Sequence, residues 1–255
     1  KSTLTTRGTG ANMGAADSME IFHIYGQSMA TSSENSRILV QFPVDNIITD
    51  RAAGTIPASG AVSFYLRLHN AVHPFTVPQD FTLMVKAVSR KWDEGTGLDM
   101  ESYTDYGYAN WVSAQSQSSG ITNWTTTGGD YQSSLLYSAS FVDGTEDMMV
   151  DITGMVEYWI AGTYTNYRVG VMLSSSHEVA SGSLYTKKFF SRGSQYFYKR
   201  PAIEARWDSS KKDDRGNFFY SSSLADADDN LNTLYLYNYV RGQLKNLPHV
   251  SASAG

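Results

Sequence analysis

The sequence predicts an all-β protein: a jelly-roll-like antiparallel β-sandwich with one short plugging helix, followed by the start of a second β unit. Apolar residues alternate with polar ones in a series of short segments, which is the period of a strand with one buried face. The composition is rich in Tyr, with 17 copies, and in Gly, with 21, which favours strands joined by turns. Long blocks of helix-forming residues are scarce.

The first predicted strands differ in how they are covered. Residues 38–42 form a nearly continuous apolar run, which is typical of a strand that is covered on both faces. Residues 62–68 and 81–87 alternate strictly and predict half-buried antiparallel strands. Further strands are predicted over residues 169–173, 185–190 and 203–207.

One segment changes its period from that of a strand to that of a helix. Apolar residues first recur at every second position and then at the spacing of a helix face: Met148, Val150, Ile152, Met155, Val156, Trp159 and Ile160. We expect a strand that runs into a short helix, with Thr153 as N-cap and Gly162 as C′ residue. A helix that presents Trp159 can plug the open end of a sandwich, so this joint is structural.

The end of the sequence differs from the part that precedes it. After Trp207 the chain becomes charged and rich in turn residues, and then Tyr235, Tyr237 and Tyr239 alternate with apolar neighbours. We therefore divide the chain into a sandwich over residues 1–208 and, over residues 209–255, a linker with the opening strands of a further β domain. A C-terminal hairpin that packs on the first domain is the alternative.

Charge and composition disfavour several classes of function. The formal net charge is -5 and Lys and Arg form no basic stripe, so we expect no nucleic-acid partner. The chain has no Cys, which excludes disulfides, thiolate nucleophiles and Cys-zinc sites. No apolar run reaches the length of a membrane span. The sequence begins at Lys1, without an initiator Met and without the pattern of a signal peptide. We therefore expect a fragment of a longer chain.

The joint and five other blocks form an ordered set of motifs. The joint contributes Asp151, Ile152, Thr153, Val156, Trp159, Gly162, Asn166, Gly170, Val171 and Leu173. The other blocks are TGANMGAADSMEIF, SRILVQFPVDNI, VSFYLRLHNA, VKAVSRKWDEGTG and SRGSQYFYKRPAIEARW. In this order the motifs resemble the DNRLRE family of β-sandwich domains, which are similar to carbohydrate-binding modules. The resemblance covers residues 5–207 and departs from the family in the long segment 99–132.

Three segments, SSENSRILVQFPV, WDEGTGLDMESYTD and residues 186–242, carry a narrower resemblance. They resemble large structural proteins of tailed phages of marine bacteria, in which a DNRLRE-like module is followed by further β domains. This resemblance implies a virion component, in a capsid decoration, fibre or tail-associated protein, whose partners are copies of itself or other virion proteins. The alternative is a carbohydrate-binding module that recognises cell-surface polysaccharide from a virion, an adhesin or a secreted enzyme. That alternative implies a secreted or cell-surface location.

Acidic residues raise two chemical hypotheses. Asp93 and Glu94 are adjacent on a strand end and point to opposite faces, whereas a carbohydrate-cleaving pair needs two carboxylates that face one another across a cleft. Together with Asp99 they are the kind of acidic loop that binds Ca²⁺ through oxygen ligands. A solvated acidic loop is the alternative. No catalytic constellation or further cofactor motif is evident, so we expect a protein that is not an enzyme.

Aromatic residues of the long middle segment are the candidate ligand-binding residues. They are Tyr103, Tyr106, Tyr108, Trp111 and Trp124. Flat aromatic rings stack on sugar faces and also anchor protein interfaces. The alternative is that these rings pack the segment onto its own sandwich.

Overall fold

A computed structural model describes residues 10–25, 33–72, 77–98, 107–117, 120–208 and 236–245. The chain divides into two compact units, Lys1–Asp208 and Ser209–Gly255. The strands of the first unit are β1 (Ser18–Tyr25), β2 (Ser33–Asn35), β3 (Ile38–Val40), β4 (Ser63–Leu68), β5 (Phe81–Val88), β6 (Ser113–Gln117), β7 (Gly120–Asn123), β8 (Tyr131–Phe141), β9 (Met148–Asp151), β10 (Val169–Leu173), β11 (Tyr185–Phe190) and β12 (Ala202–Arg206). Its helices are α1 (Asp45–Ala52), α2 (Thr153–Ile160), α3 (Ser175–Glu178) and a 3-10 turn, Phe197–Lys199.

Ten described strands of the first unit form two antiparallel layers, and β6 and β7 form a separate hairpin. One layer is the four-stranded sheet β3-β10-β5-β8. The other combines β12-β4-β9 with β11-β1-β2, and a bridge between Asn70 and Phe189 joins the end of β4 to β11. Backbone hydrogen bonds from Ala71 to Lys188 and from Phe190 to His69 flank that bridge. The predicted all-β antiparallel sandwich is therefore confirmed, with its strands close to the predicted positions.

One apolar core holds the two layers together. In β4, Phe64, Leu66 and Leu68 are fully buried, and the residues between them are half-buried, as strict alternation predicts. Across the core, β5 and β10 contribute the most deeply buried side chains of the opposite sheet: Phe81, Leu83, Val85, Val169, Val171 and Leu173. Strand β10 lies between β3 and β5 and is buried along its whole length. The ring of Tyr131 covers Gly170 of this strand.

Helix α2 packs into this core directly after β9. Met155, Val156 and Trp159 are buried in the main core cluster, and Ile160 packs against it. At the C-terminal end Gly162 has φ +69°, its N–H donates to Trp159 O, and the N–H of the next residue donates to the carbonyl of Tyr158. This is the geometry of a Schellman end, in which a left-handed glycine satisfies the last carbonyls of a helix.

The beginning of α2 differs from the expected cap. The N-cap is Ile152, and Thr153 is already the first helical residue, so the assignment of Thr153 as N-cap is wrong. Asp151 caps this turn instead, because its Oδ1 accepts bonds from the Thr153 N–H at 2.9 Å and from the Thr153 hydroxyl at 2.6 Å. The same hydroxyl accepts the N–H of Phe64 at 2.8 Å, which ties the joint to β4.

The sandwich has an eight-residue helix that the sequence did not predict. Helix α1 follows Pro43 and Val44, and none of its residues is buried. It is tied to α2 by Arg51, whose guanidinium donates to both carboxylate oxygens of Glu157, at 2.7 and 3.2 Å. The expectation of a single helix therefore misses α1, which is held by this polar contact and by Ile47, a partly buried residue that packs against the core.

The described part of the second unit is a short hairpin. Strands β13 (Tyr239–Val240) and β14 (Gln243–Leu244) pair antiparallel across a two-residue turn. Arg241 and Gly242 both have positive φ, at 52° and 78°, as a type I′ hairpin turn requires. The assignment of residues 209–255 to a further β domain stays a prediction. No helix among the described residues is long and apolar enough to cross a membrane.

We predict that Trp159→Ala lowers the free energy of unfolding by about 3 to 5 kcal/mol, because it removes a large side chain from a packed core. Tyr158→Ala on the same helix is the control, since Tyr158 is 44% exposed, and its loss should stay below about 1 kcal/mol. Chemical denaturation of both variants measures the difference. A Trp159→Ala protein as stable as the parent would contradict the proposed plug.

Candidate functional site

An open groove of about 750 Å³ lies where β5 and β8 meet the turn before β8. We call it the basic groove, and its defining residues are Arg37, Lys86, Arg90, Thr125, Asp130 and Tyr131. Three of these residues are cationic and one is anionic. The groove thus concentrates positive charge on the outer face of a chain whose formal net charge is -5.

Tyr131 forms the floor of the basic groove. Its ring lies against Gly170 of β10, where an added Cβ would come within 2.4 Å of a ring carbon, so only glycine permits this contact. The hydroxyl donates to Gly128 O at 2.8 Å. Burial raises the pKa of Tyr131 to about 12, and the phenol therefore stays protonated. The Arg37 guanidinium and the Lys86 ammonium lie 6.0 and 5.8 Å from the ring centroid.

Arg37 is fixed in one orientation. Its Nε and Nη2 donate to the two carboxylate oxygens of Glu178 at 2.7 and 2.6 Å, and Nη1 donates to Gly128 O at 2.9 Å. The guanidinium also lies 4.9 Å from the ring centroid of Trp111. Burial alone would lower the pKa of Arg37, but the bonds to Glu178 and its negative charge outweigh burial and raise it. Arg37 is therefore a permanent positive charge that needs no further partner.

Asp130 and Arg90 fix the turn that forms the opposite wall. The Asp130 carboxylate accepts the N–H groups of Thr125 and Thr126, both at 2.9 Å, and lies 3.2 Å from Arg90 Nε. Burial raises the pKa of Asp130, but these two backbone bonds together with Arg90 lower it below its usual value. Arg90 also donates to Thr125 Oγ1 and to the carbonyl of Asn123.

Lys86 is the groove cation best placed to bind a ligand. It is half-buried on β5, and among the described residues its ammonium contacts the Tyr131 ring and forms no hydrogen bond or ion pair. An ammonium carries three donors, so its bonding capacity faces solvent. The groove therefore combines fixed charges, a protonated phenol and one adaptable cation, which together suit a ligand rich in hydroxyl or acidic groups.

The predicted ligand-binding aromatics have different environments. Trp124 is buried in a small second core with Trp92 and donates its indole N–H to Asn110 O at 2.8 Å, so its ring is not open to a ligand. Trp111 is half-buried behind Arg37, and Tyr108 is half-buried with φ +55°. Tyr103 and Tyr106 lie outside the described residues. The hypothesis that these rings pack onto their own sandwich holds for Trp124.

Two of the predicted calcium ligands contact different side chains among the described residues. Asp93 accepts two bonds from Gln115 Nε2, both at 3.0 Å, whereas Glu94 forms an ion pair with Arg192 at 3.0 Å. Asp99 lies outside the described residues. In the parts of the chain that the structure describes, no three His, Asp or Glu side chains form a group that could hold a metal ion. The calcium site stays a prediction.

A second surface was missed by sequence reasoning. Three consecutive aromatic residues, Tyr196, Phe197 and Tyr198, are 52, 68 and 91% exposed, and we call them the aromatic patch. Lys199 lies 5.5 Å from the Tyr196 ring, and Arg200 lies 5.4 Å from the Phe197 ring. The signal was present in the sequence, because three consecutive rings cannot all point toward one buried face of a strand.

Comparison with protein-family models gave no match, and comparison with curated proteins gave none either. The resemblance to DNRLRE domains therefore depends on the ordered motifs themselves.

We predict that Asp130→Asn weakens the acid dependence of stability. Because folding lowers the pKa of Asp130, this carboxylate stabilises the fold above about pH 4, and that contribution is lost as the pH falls through the folded pKa. Unfolding measured between about pH 6 and pH 2 should therefore show a shallower decline in Asp130→Asn than in the parent. Asp50→Asn, at an exposed position of α1, is the control and should decline like the parent. Identical profiles for all three proteins would contradict the role of Asp130.

Proposed function

We propose that this chain is a non-enzymatic structural and interaction module of a tailed-phage virion, in a capsid decoration, fibre or tail-associated protein. The aromatic patch is the observation that carries this proposal, and the narrower resemblance to phage structural proteins supplies its viral setting. The module contacts copies of itself or neighbouring virion proteins. Because a sandwich hosts many functions, the exposed surface rather than the fold supports this role.

The aromatic patch has the properties of a protein-binding surface. Burial of large exposed rings against a partner is favourable, because it removes apolar surface from water. Aromatic residues and Arg are also enriched among the residues that dominate binding. Lys199 and Arg200 lie over the rings, which leaves their charges available to acidic groups of a partner. The chain has a formal net charge of -5, so a second copy offers such groups.

The double variant Phe197→Ser/Tyr198→Ser tests the patch. We expect it to weaken association at least about tenfold, because each buried aromatic anchor contributes on the order of 2 kcal/mol to an interface. Tyr25→Ser removes another exposed ring, on β1, and should leave association unchanged. Sedimentation of the purified chain, alone and with proteins of disrupted particles, measures the binding. The proposal fails if the parent binds neither itself nor an identified virion protein, or if the double variant binds equally well.

A carbohydrate-binding module is the second candidate function, and the basic groove is the observation that favours it. Such a module would recognise cell-surface polysaccharide from a virion, an adhesin or a secreted enzyme. Polysaccharides present hydroxyl and acidic groups at regular spacing, and binding them requires donors and acceptors that are already fixed in place. Arg37, Arg90 and Asp130 are fixed by the protein, whereas Lys86 can move to meet the ligand.

We predict that the parent chain is retained saturably on a subset of bacterial surface polysaccharides and that Lys86→Ala reduces retention about tenfold, the effect of one charged hydrogen bond. Lys91→Ala, at an exposed position outside the basic groove, is the control. Repeating the panel with calcium and then with chelator tests the hypothesis for Asp93, Glu94 and Asp99. Absence of retention on every glycan, or equal retention of Lys86→Ala, would exclude the groove as a glycan site.

A further inference from the structure

Lys187 of β11 is 1% exposed, which is unusual for a lysine. Its ammonium donates to Asn70 Oδ1 at 2.8 Å and to the carbonyls of Gly144 and Glu146, both at 2.7 Å. All three acceptors belong to neutral groups. Among the described residues no carboxylate is in direct contact with this buried side chain, so burial of its charge is costly.

Opposing effects act on the charge of Lys187. The nitrogen lies 4.7 Å from the ring centroid of Phe141 and 5.2 Å from that of Phe189, and these contacts favour the cation. Burial lowers the pKa of Lys187 to about 8, although the charges of Glu146 and Asp147 act in the opposite direction. About a tenth of the side chain is then a free amine at pH 7, and a free amine is a nucleophile.

Asn70 is held against this amine. It follows β4, its backbone bridges to Phe189 of β11, and its N–H donates to Asp147 Oδ1 at 2.7 Å. The other carboxylate oxygen of Asp147 contacts His69 Nδ1 at 2.8 Å, which fixes the acid in turn. Lys187 Nζ is in hydrogen-bond contact with the carboxamide oxygen of Asn70, and the carboxamide carbon is bonded directly to that oxygen. The fold thus holds the amine close to the carbon that it would attack, which lowers the entropic part of the reaction barrier.

The side chain of Glu146 acts on this pair through its charge rather than through a hydrogen bond. Its Oε1 accepts the N–H groups of Val142 and Asp143, at 2.8 and 2.7 Å. Burial raises the pKa of Glu146, but the backbone bonds and the charge of Lys187 lower it below its usual value. The carboxylate is thus ionised and a weak base, and its negative charge partly offsets the effect of burial on Lys187.

We propose that Lys187 and Asn70 form an intramolecular isopeptide bond. The ammonium first gives one proton to water, and the free amine of Lys187 attacks Cγ of Asn70. The bond between Cγ and the amide nitrogen of Asn70 breaks while a second proton passes from Nζ to that nitrogen. Ammonia leaves, takes up one proton from water and departs as an ammonium ion. The carbonyl oxygen stays on Cγ, and no oxidant or reductant is required.

The bond would close a long loop where the two parts of one layer are joined. It joins positions 117 residues apart, where β4 meets β11 and the two parts of one layer are connected by an isolated bridge. A covalent link of this kind restricts the unfolded chain as a disulfide does, in a protein that has no Cys. The inference does not rest on the proposed function.

The intact mass of the full chain tests the proposal without any variant. After incubation at about pH 8 we expect the mass of the chain to be about 17 Da below the mass of its sequence, because one ammonia is lost. Proteolysis should then yield one peptide pair in which Lys187 is joined to Asn70. A chain at its full sequence mass, or a loss of ammonia that maps to another residue, would overturn the proposal.

Variants separate the roles of the two residues. Asn70→Ala and Lys187→Met should keep the full sequence mass, with circular dichroism to verify that each variant is folded. Lys188→Ala is the control, because Lys188 contacts Glu20 on β1 and lies outside the cluster, and it should show the same loss of ammonia as the parent. Loss of ammonia from folded Asn70→Ala would contradict the assignment of the bond to Asn70.

Discussion

The burial of alternate side chains of two layers in one core is the constraint on which the other features depend. Phe64 and Leu66 of β4 face Leu83 of β5 and Val171 of β10 within a single buried cluster. A shift of one residue in either register would turn these side chains to solvent, so the core fixes the pairing of the strands. That pairing in turn fixes both surfaces that could bind a partner. The basic groove depends on the contact of Tyr131 with β10, and the aromatic patch lies between β11 and β12.

Much of the fold could be predicted because its signals are local. Alternation predicted the main strands, and the change of period after Met148 predicted α2. Helix α1 could not be predicted in this way, because it buries no residue and is tied to α2 by an Arg51–Glu157 contact across 106 residues. The capping error had a similar cause, since the hydroxyl of Thr153 also serves β4.

The candidate sites were harder to predict because their residues come together only in the folded chain. Arg37 meets Glu178 across 141 residues, and Lys187 meets Asn70 across 117, and no spacing in the sequence marks either pair. Trp124 was predicted as a ligand-binding residue because it lies in a polar segment. In the structure it is buried with Trp92 in a small second core. Residue type therefore indicated where binding chemistry is available, whereas burial decided which side chains can use it.

The central functional claim is that the chain is part of a virus particle. The most direct test of this claim is to determine where the protein is found. Particles of a phage that encodes this chain would be purified on a density gradient and analysed by quantitative mass spectrometry. The account predicts that peptides of the chain sediment with the particles in a fixed ratio to the major capsid protein. Peptides confined to the soluble host-cell or secreted fraction, and missing from intact particles, would contradict it and favour the carbohydrate-binding alternative outside a virion.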